Sequence, residues 1–178
     1  MIIGLSGYAR SGKDTVAELL CLNYGFKRIS FAQPMRDALC ILNPYLSDGL
    51  RVSHLVNDYG WEVAKQNPEV RRLLQVFGTE IGRKMFGEDV WINIALSDLR
   101  HDERIVISDV RFPNEADAIK EQGGMVWRIN RHDFSAVNDH TSEHAMDTYM
   151  FDHAIYNDST VDELANEVFM SARKFHIE

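Results

Sequence analysis

Little in this chain points to a covalent, membrane or nucleic-acid scaffold. It has only two cysteines, Cys21 and Cys40, each set among apolar residues at helical spacing. Buried thiols in a reducing compartment fit that setting better than a disulfide, and no zinc-ligand spacing exists. No apolar run approaches the ~20 residues that span a bilayer, and no basic stretch followed by an apolar run opens the chain. A cytoplasmic protein without a membrane partner is expected. Positive charge is scarce, with 19 Lys and Arg against 27 Asp and Glu and a net charge of −8. A stable nucleic-acid groove needs a broad basic face, so any phosphate chemistry must rest on a few focused arginines. Repeats and low-complexity tracts are also lacking.

What is present is a core-forming α/β pattern. The 178 residues are 45% hydrophobic, enough for one well-buried core and too few for two full-sized domains. Residues 1–178 therefore read as a single domain with a mobile insert. Short apolar runs alternate with helical periodicity, the pattern of a parallel β-sheet flanked by helices. Strand Ile2 to Leu5 precedes a helix ending at Gly25, and Phe26 to Ser30 reads as a short strand. Pro34 opens a helix that Asn43-Pro44 closes. Residues 45–66 show no clean periodicity and read as a mobile, substrate-side segment. From Glu69, the positions Val70, Leu73, Leu74, Phe77, Ile81 and Met85 predict one long amphipathic helix despite Gly78 and Gly82.

A further helix is expected from Asp89 to Leu99, then an apolar strand through Ile105-Val106-Ile107 and a helix from Pro113 to Gly123-Gly124. Strands Met125 to Ile129 and His153 to Tyr156 follow, separated by residues 130–143, which are rich in His, Asp, Asn and Arg and read as a lid. Thr160 and Glu163 form a capping box for the last helix.

The most informative stretch is Gly7-Tyr-Ala-Arg-Ser-Gly12-Lys13-Asp14-Thr15, lying between the first strand and the first helix. Backbone N–H groups in such a loop turn inward around a polyphosphate, Lys13 reaches the outer phosphates, and the helix start adds its positive dipole end. Asp14 stands where most such loops carry Ser or Thr as a magnesium ligand. A carboxylate is also a hard oxygen ligand, direct or through water, and Thr15 offers a hydroxyl beside it. In open parallel sheets ligands bind beyond the carboxyl ends of strands. Arg10 and Lys13 lie there after the first strand, and Asp109 and Arg111 after Ile105-Val106-Ile107. A carboxylate there can hold magnesium-bound water while a guanidinium forks onto a phosphate; the bland alternative is a cap with its ion-pair partner. Arg71, Arg72 and Arg36 read equally as solvated helix residues, and Trp91 and Phe86 as core or as flanks of a flat base. In the expected lid, Arg128, Arg131, His132 and His140 read either as closing over phosphates or as an ordinary His-rich surface loop, and His140 and Glu143 are too weakly placed to make a metal pair.

The chain resembles the deoxynucleoside monophosphate kinases of tailed bacteriophages, members of the P-loop kinase group. The resemblance runs through Leu5-Ser6-Gly7 and Arg10-Ser11-Gly12-Lys13-Asp14-Thr15, Pro34-Met35-Arg36-Asp37-Ala38-Leu39, and Val70-Arg71-Arg72-Leu73-Leu74-Gln75 with Gly78-Thr79-Glu80. It continues through Trp91, Asp109-Val110-Arg111 with Asn114-Glu115-Ala116-Asp117, His140, Ser142-Glu143 and Asn157-Asp158. It implies a P-loop kinase fold with a lid and an acceptor-binding segment at about residues 34–90. The implied reaction moves the γ-phosphoryl group of MgATP to a deoxynucleoside 5′-monophosphate. Gly7, Ala9, Arg10, Ser11, Gly12, Lys13, Asp14 and Thr15 would then hold ATP, with Arg131 and Asn157 on the nucleotide side. Arg36, Arg72 and Arg111 would grip the acceptor phosphate, Trp91 would lie by its base, and Glu80 and Glu115 would complete that side. Lys13, Arg10, Arg111 and Asp109 would act on the transferred group, with magnesium near Asp14, Thr15 and Asp109.

Two other readings stay open at this stage. A Gly-Lys-Asp loop also suits phosphomevalonate-type kinases, whose acceptor is likewise a phosphate monoester. A non-catalytic nucleotide-binding switch would keep the loop but would not need acceptor-side arginines. Apolar helix faces leave a homodimer open.

Overall fold

The computed structural model describes residues 1–100, 102–132 and 144–178. The chain divides into two compact units, one formed by Met1–Ser30 with Leu99–Glu178 and the other by Phe31–Asp98.

The first unit is built on strands β1 (Ile2–Ser6), β2 (Lys27–Ile29), β3 (Ile105–Val110), β4 (Met125–Asn130) and β5 (His153–Tyr156). All pairings are parallel, in the order β2-β3-β1-β4-β5. Every residue of β1 is buried, as a strand covered on both faces must be. On one face Ile3 and Leu5 pack with Val16 and Leu20 of helix α1 (Lys13–Tyr24) and with residues near the C-terminus of the chain. The other face takes the next element after β3, the helix at Pro113–Glu121. There a Cβ on Gly4 would lie 2.6 Å from Ile119 Cδ1, so the two backbones approach closely. Val16 and Leu20 are fully buried, and each such side chain contributes about 1.5–3 kcal/mol of transfer free energy. Thr160 Oγ1 accepts from the Glu163 N–H at 3.3 Å at the start of the last helix, Val161–Lys174, as the capping pattern anticipates.

The second unit is helical: α2 (Gln33–Leu42), α3 (Val52–Ala64), α4 (Pro68–Gln75), a π-helical stretch (Val76–Arg83), α5 (Lys84–Phe86) and α6 (Val90–Leu96). The helices after β3, at Pro113–Glu121 and Val161–Lys174, are α7 and α8. Two expectations are corrected here. Residues 45–66, without clean periodicity in the sequence, contain helix α3, whose Val52, Leu55, Val56 and Trp61 pack with Leu39, Leu46 and Val70. Gly60 hides the period by breaking the helix at φ 75°, ψ 168°. The long helix expected from Glu69 is continuous but changes winding at Val76, and the wider turns coincide with two glycines. A Cβ on Gly82 would lie 2.4 Å from the Trp91 ring, and one on Gly78 2.7 Å from Met35 Sδ. Among the described residues no helix is long and apolar enough to cross a membrane. Of the expected lid only Asn130, Arg131 and His132 are among the described residues; His140 and Glu143 lie outside them.

Candidate active site

The order of the sheet puts β1 between β3 and β4, so connections leave it to both sides and a crevice opens at its carboxyl end. The loop of residues 7–12 fills that position. It turns through Arg10 at φ 65° and Gly12 at φ 105°. No side chain fits at residue 12, because a Cβ there would lie 2.4 Å from Asn157 Nδ2. That amide donates to the Ser11 carbonyl at 2.9 Å and ties the loop to the end of β5. Lys13 folds back over the loop, donating to Gly7 O at 2.7 Å and Tyr8 O at 2.8 Å. Its ammonium is therefore held at the loop mouth, and the first N–H groups of α1 point the same way.

A cleft of about 300 Å³ lies beside the loop, lined by Arg10, Gly12, Lys13, Asp14, Thr15, Arg131 and Asn157. The structure thus brings most of the expected nucleotide-side residues together. A second, smaller pocket is lined by Ser6, Gly7, Ala9, Lys13, Arg111, Arg128 and Met146.

The end of β3 is held by its neighbours. The Ser30 hydroxyl donates to Asp109 Oδ2 at 2.6 Å. Glu115 is buried, and its Oε2 accepts from the backbone N–H groups of Arg111 at 2.7 Å and Phe112 at 3.1 Å. Sequence reasoning placed Glu115 on the acceptor; the structure shows its carboxylate fixing the backbone that carries Arg111.

Arg28 of β2 was not anticipated. It donates through Nε to the buried Ser108 hydroxyl at 3.0 Å and pairs with the exposed Asp14 carboxylate. A Lys-Arg pair in a short strand carries no sequence sign of that role. A second group joins Arg128, which was expected in the lid, to Tyr8, His144 and Asp147, which were not anticipated. The Tyr8 hydroxyl donates to Asp147 Oδ1 at 2.7 Å, which raises the Tyr8 pKa. Burial pushes the Asp147 carboxyl up, but the Tyr8 hydroxyl, His144 and Arg128 outweigh it and leave it below its ordinary value.

Among the described residues no three His, Cys, Asp or Glu side chains cluster to hold an ion. Asp14, Thr15 and Asp109 are hard oxygen donors of the kind magnesium takes.

Arg36, Arg72, Glu80 and Trp91 belong to the second unit. The Arg36 guanidinium lies 5.9 Å from the centroid of Trp61, and Arg72 is exposed on α4. Glu80 pairs with Lys84 at 2.7 Å. Trp91 is buried and donates through Nε1 to Gly78 O at 2.9 Å, so its indole is a core element bracing the π-helical stretch.

A parallel sheet with a lysine-bearing phosphate loop after its central strand defines a P-loop kinase fold. The shikimate kinase of Aquifex aeolicus shares this fold, with a TM-score of 0.51 at 12% identity over 99% of both chains. Residues 51–168 match the model of the deoxynucleotide monophosphate kinase family, and the chain belongs to that family. It is 30% identical to a protein of Acanthamoeba polyphaga mimivirus assigned as a deoxynucleotide monophosphate kinase, with 94% of each chain covered. It is 25% identical to the deoxynucleoside-5′-monophosphate kinase of Escherichia phage T5, over 88% of this chain and 89% of that one.

Proposed function

We infer that this protein is an ATP-dependent kinase that transfers the γ-phosphoryl group of ATP to a deoxynucleoside 5′-monophosphate, giving ADP and the diphosphate. The observation that carries this reading is the pairing of the Lys13 loop with Asp109 and Arg111 at the end of adjacent β3, in a chain of this family. Family membership favours a nucleotide acceptor over phosphomevalonate, and a nucleotide switch would leave Arg111 without a role.

A monophosphate has a second pKa of ~6, so its attacking oxygen is ionised at neutral pH and no general base is needed. That oxygen bonds to the γ-phosphorus as the bond to the β–γ bridging oxygen breaks, and ADP leaves with the electron pair. The protein must position the two partners and neutralise charge spreading over the equatorial oxygens. Lys13 and Arg10 act on the transferred group from the loop side. Arg111 aligns the acceptor phosphate, and Glu115 acts through Arg111 by fixing its backbone. Asp14, Thr15 and Asp109 would hold a magnesium ion, which neutralises β- and γ-phosphate oxygens when bound. Gly7 to Thr15 bind the triphosphate, with Arg131 and Asn157 lining the nucleotide side of the cleft. Arg36, Arg72, Glu80 and Trp91 are assigned to the acceptor, the arginines to its phosphate and Trp91 to the neighbourhood of its base.

The test is ADP formation from MgATP with each deoxynucleoside monophosphate, its ribose counterpart and phosphomevalonate. Turnover with at least one deoxynucleotide, lost in Lys13→Ala and Arg111→Ala, is expected. Nucleotide binding without turnover on any acceptor would overturn the reading.

A further inference from the structure

Arg128 reads from the sequence as a lid residue over phosphates, and the structure places it within the sheet. It sits on β4 opposite Ser6, the last residue of β1, and so directly beside the start of the phosphate loop. Its side chain is 12% exposed. The guanidinium lies 4.7 Å from the centroid of the Tyr8 ring and 5.4 Å from that of Phe151. The Asp147 carboxylate is 3.6 Å away, outside hydrogen-bond range. Asp147 is already engaged by the Tyr8 hydroxyl at 2.7 Å and His144 Nδ1 at 3.0 Å. Two ring faces and the ion pair with Asp147 hold the guanidinium in place at the mouth of the loop.

Arg128 lines a pocket shared with Lys13, Arg111 and Gly7. Three cations converging on one pocket call for an anion with several oxygens. Stacking on Tyr8 and Phe151 fixes the plane of the guanidinium, which cuts the entropy lost when it forks onto a phosphate.

We propose that Arg128 is a further phosphate-binding cation, one that contacts the γ-phosphoryl group between Lys13 and Arg111. This rests on the kinase reading above and assigns to that site a residue outside the loop and outside β3. An arginine seen only by the γ-phosphate discriminates ATP from ADP, whereas one that merely braces Tyr8 and the 144–152 segment does not.

The experiment compares wild type, Arg128→Gln and Arg128→Lys by calorimetric titration with a non-hydrolysable ATP analogue and with ADP, both with magnesium, after thermal melts. For Arg128→Gln the expected result is a loss of about tenfold in analogue affinity with ADP affinity held within about twofold. Turnover should fall by about a hundredfold. Arg128→Lys should recover part of the analogue affinity, because it keeps the charge without the fork. Equal losses for both nucleotides, or no loss for either, would overturn the proposal. Should Arg128→Gln fail to fold, Arg128→Lys carries the same comparison with the same two outcomes. A wild-type protein that binds the analogue but phosphorylates no acceptor would defeat the kinase reading, and the ATP-over-ADP comparison would still judge Arg128.

Discussion

Replacing Glu115 by alanine separates two roles that look alike in the sequence. The residue is 4% exposed, and its carboxylate accepts from the N–H groups of Arg111 and Phe112. Hydrogen bonds to a charged group contribute about 1.5–3 kcal/mol each, and these two share one oxygen, so a total loss of about 2–4 kcal/mol is expected for Glu115→Ala. At about 2–4 °C per kcal/mol for a chain of this size, the melting temperature should fall by roughly 5–15 °C. Glu115→Gln keeps a neutral acceptor at the same place and should lose about half as much. Because the bonded backbone carries Arg111, kcat should fall in both variants, more steeply in the alanine form, even below the melting temperature. The assay is calorimetric unfolding beside steady-state kinetics at a temperature where every variant is folded. An unchanged melting temperature together with a raised KM for the deoxynucleotide would refute the argument and return Glu115 to the substrate.

The remaining predictions concern other parts of the molecule. Lys13→Ala should reduce turnover by two to three orders of magnitude, about 2.7–4 kcal/mol of barrier, with little change in melting temperature; steady-state kinetics and a melt check both. Gly82→Ala places a Cβ 2.4 Å from the Trp91 ring and should destabilise by about 1–3 kcal/mol through overpacking, while Trp91→Phe should lose about 1 kcal/mol with the Gly78 hydrogen bond; urea unfolding reads both. Burial and then Lys174 hold the His153 pKa below its ordinary value. The unfolded chain therefore binds a proton that the folded chain does not, and this contribution is complete above pH ~6.5 and lost as pH falls from there towards the folded pKa. His153→Gln should flatten that part of the stability profile, and an unaltered slope would refute the assignment.

How much was legible in the sequence depended on whether a signal was local. The loop between Gly7 and Thr15, the strands Ile2–Ser6 and His153–Tyr156 and the cap at Thr160 are local patterns, and their chemistry shows in a few consecutive residues. Residues 45–66 misled because Gly60 shifts the phase of the apolar positions partway along α3. The stretch from Val76 to Arg83 misled because a π-helix bonds i to i+5, which an eye set for 3.6 residues per turn reads as ordinary helix. Arg28, Tyr8 and Asp147 were missed for a different reason, and Arg128 was read as part of a lid. Each gains meaning only from a partner far away in the chain, such as Tyr8 with Asp147 or Arg28 with Ser108. Glu115 was noticed as a residue of the site, but only the fold shows that its carboxylate faces backbone.

The order of the strands also bears on how the chain is made. Strand β1 pairs with β3 and β4 and with nothing nearer in sequence, and the whole second unit is translated between them. A chain emerging from the ribosome would carry β1, buried along its whole length in the fold, without a sheet neighbour until β3 had been synthesised. Contacts so distant in sequence slow folding and leave apolar surface open to wrong partners meanwhile. The helical second unit, with mostly local contacts, is the part able to organise first, and the phosphate loop is among the last features to take shape.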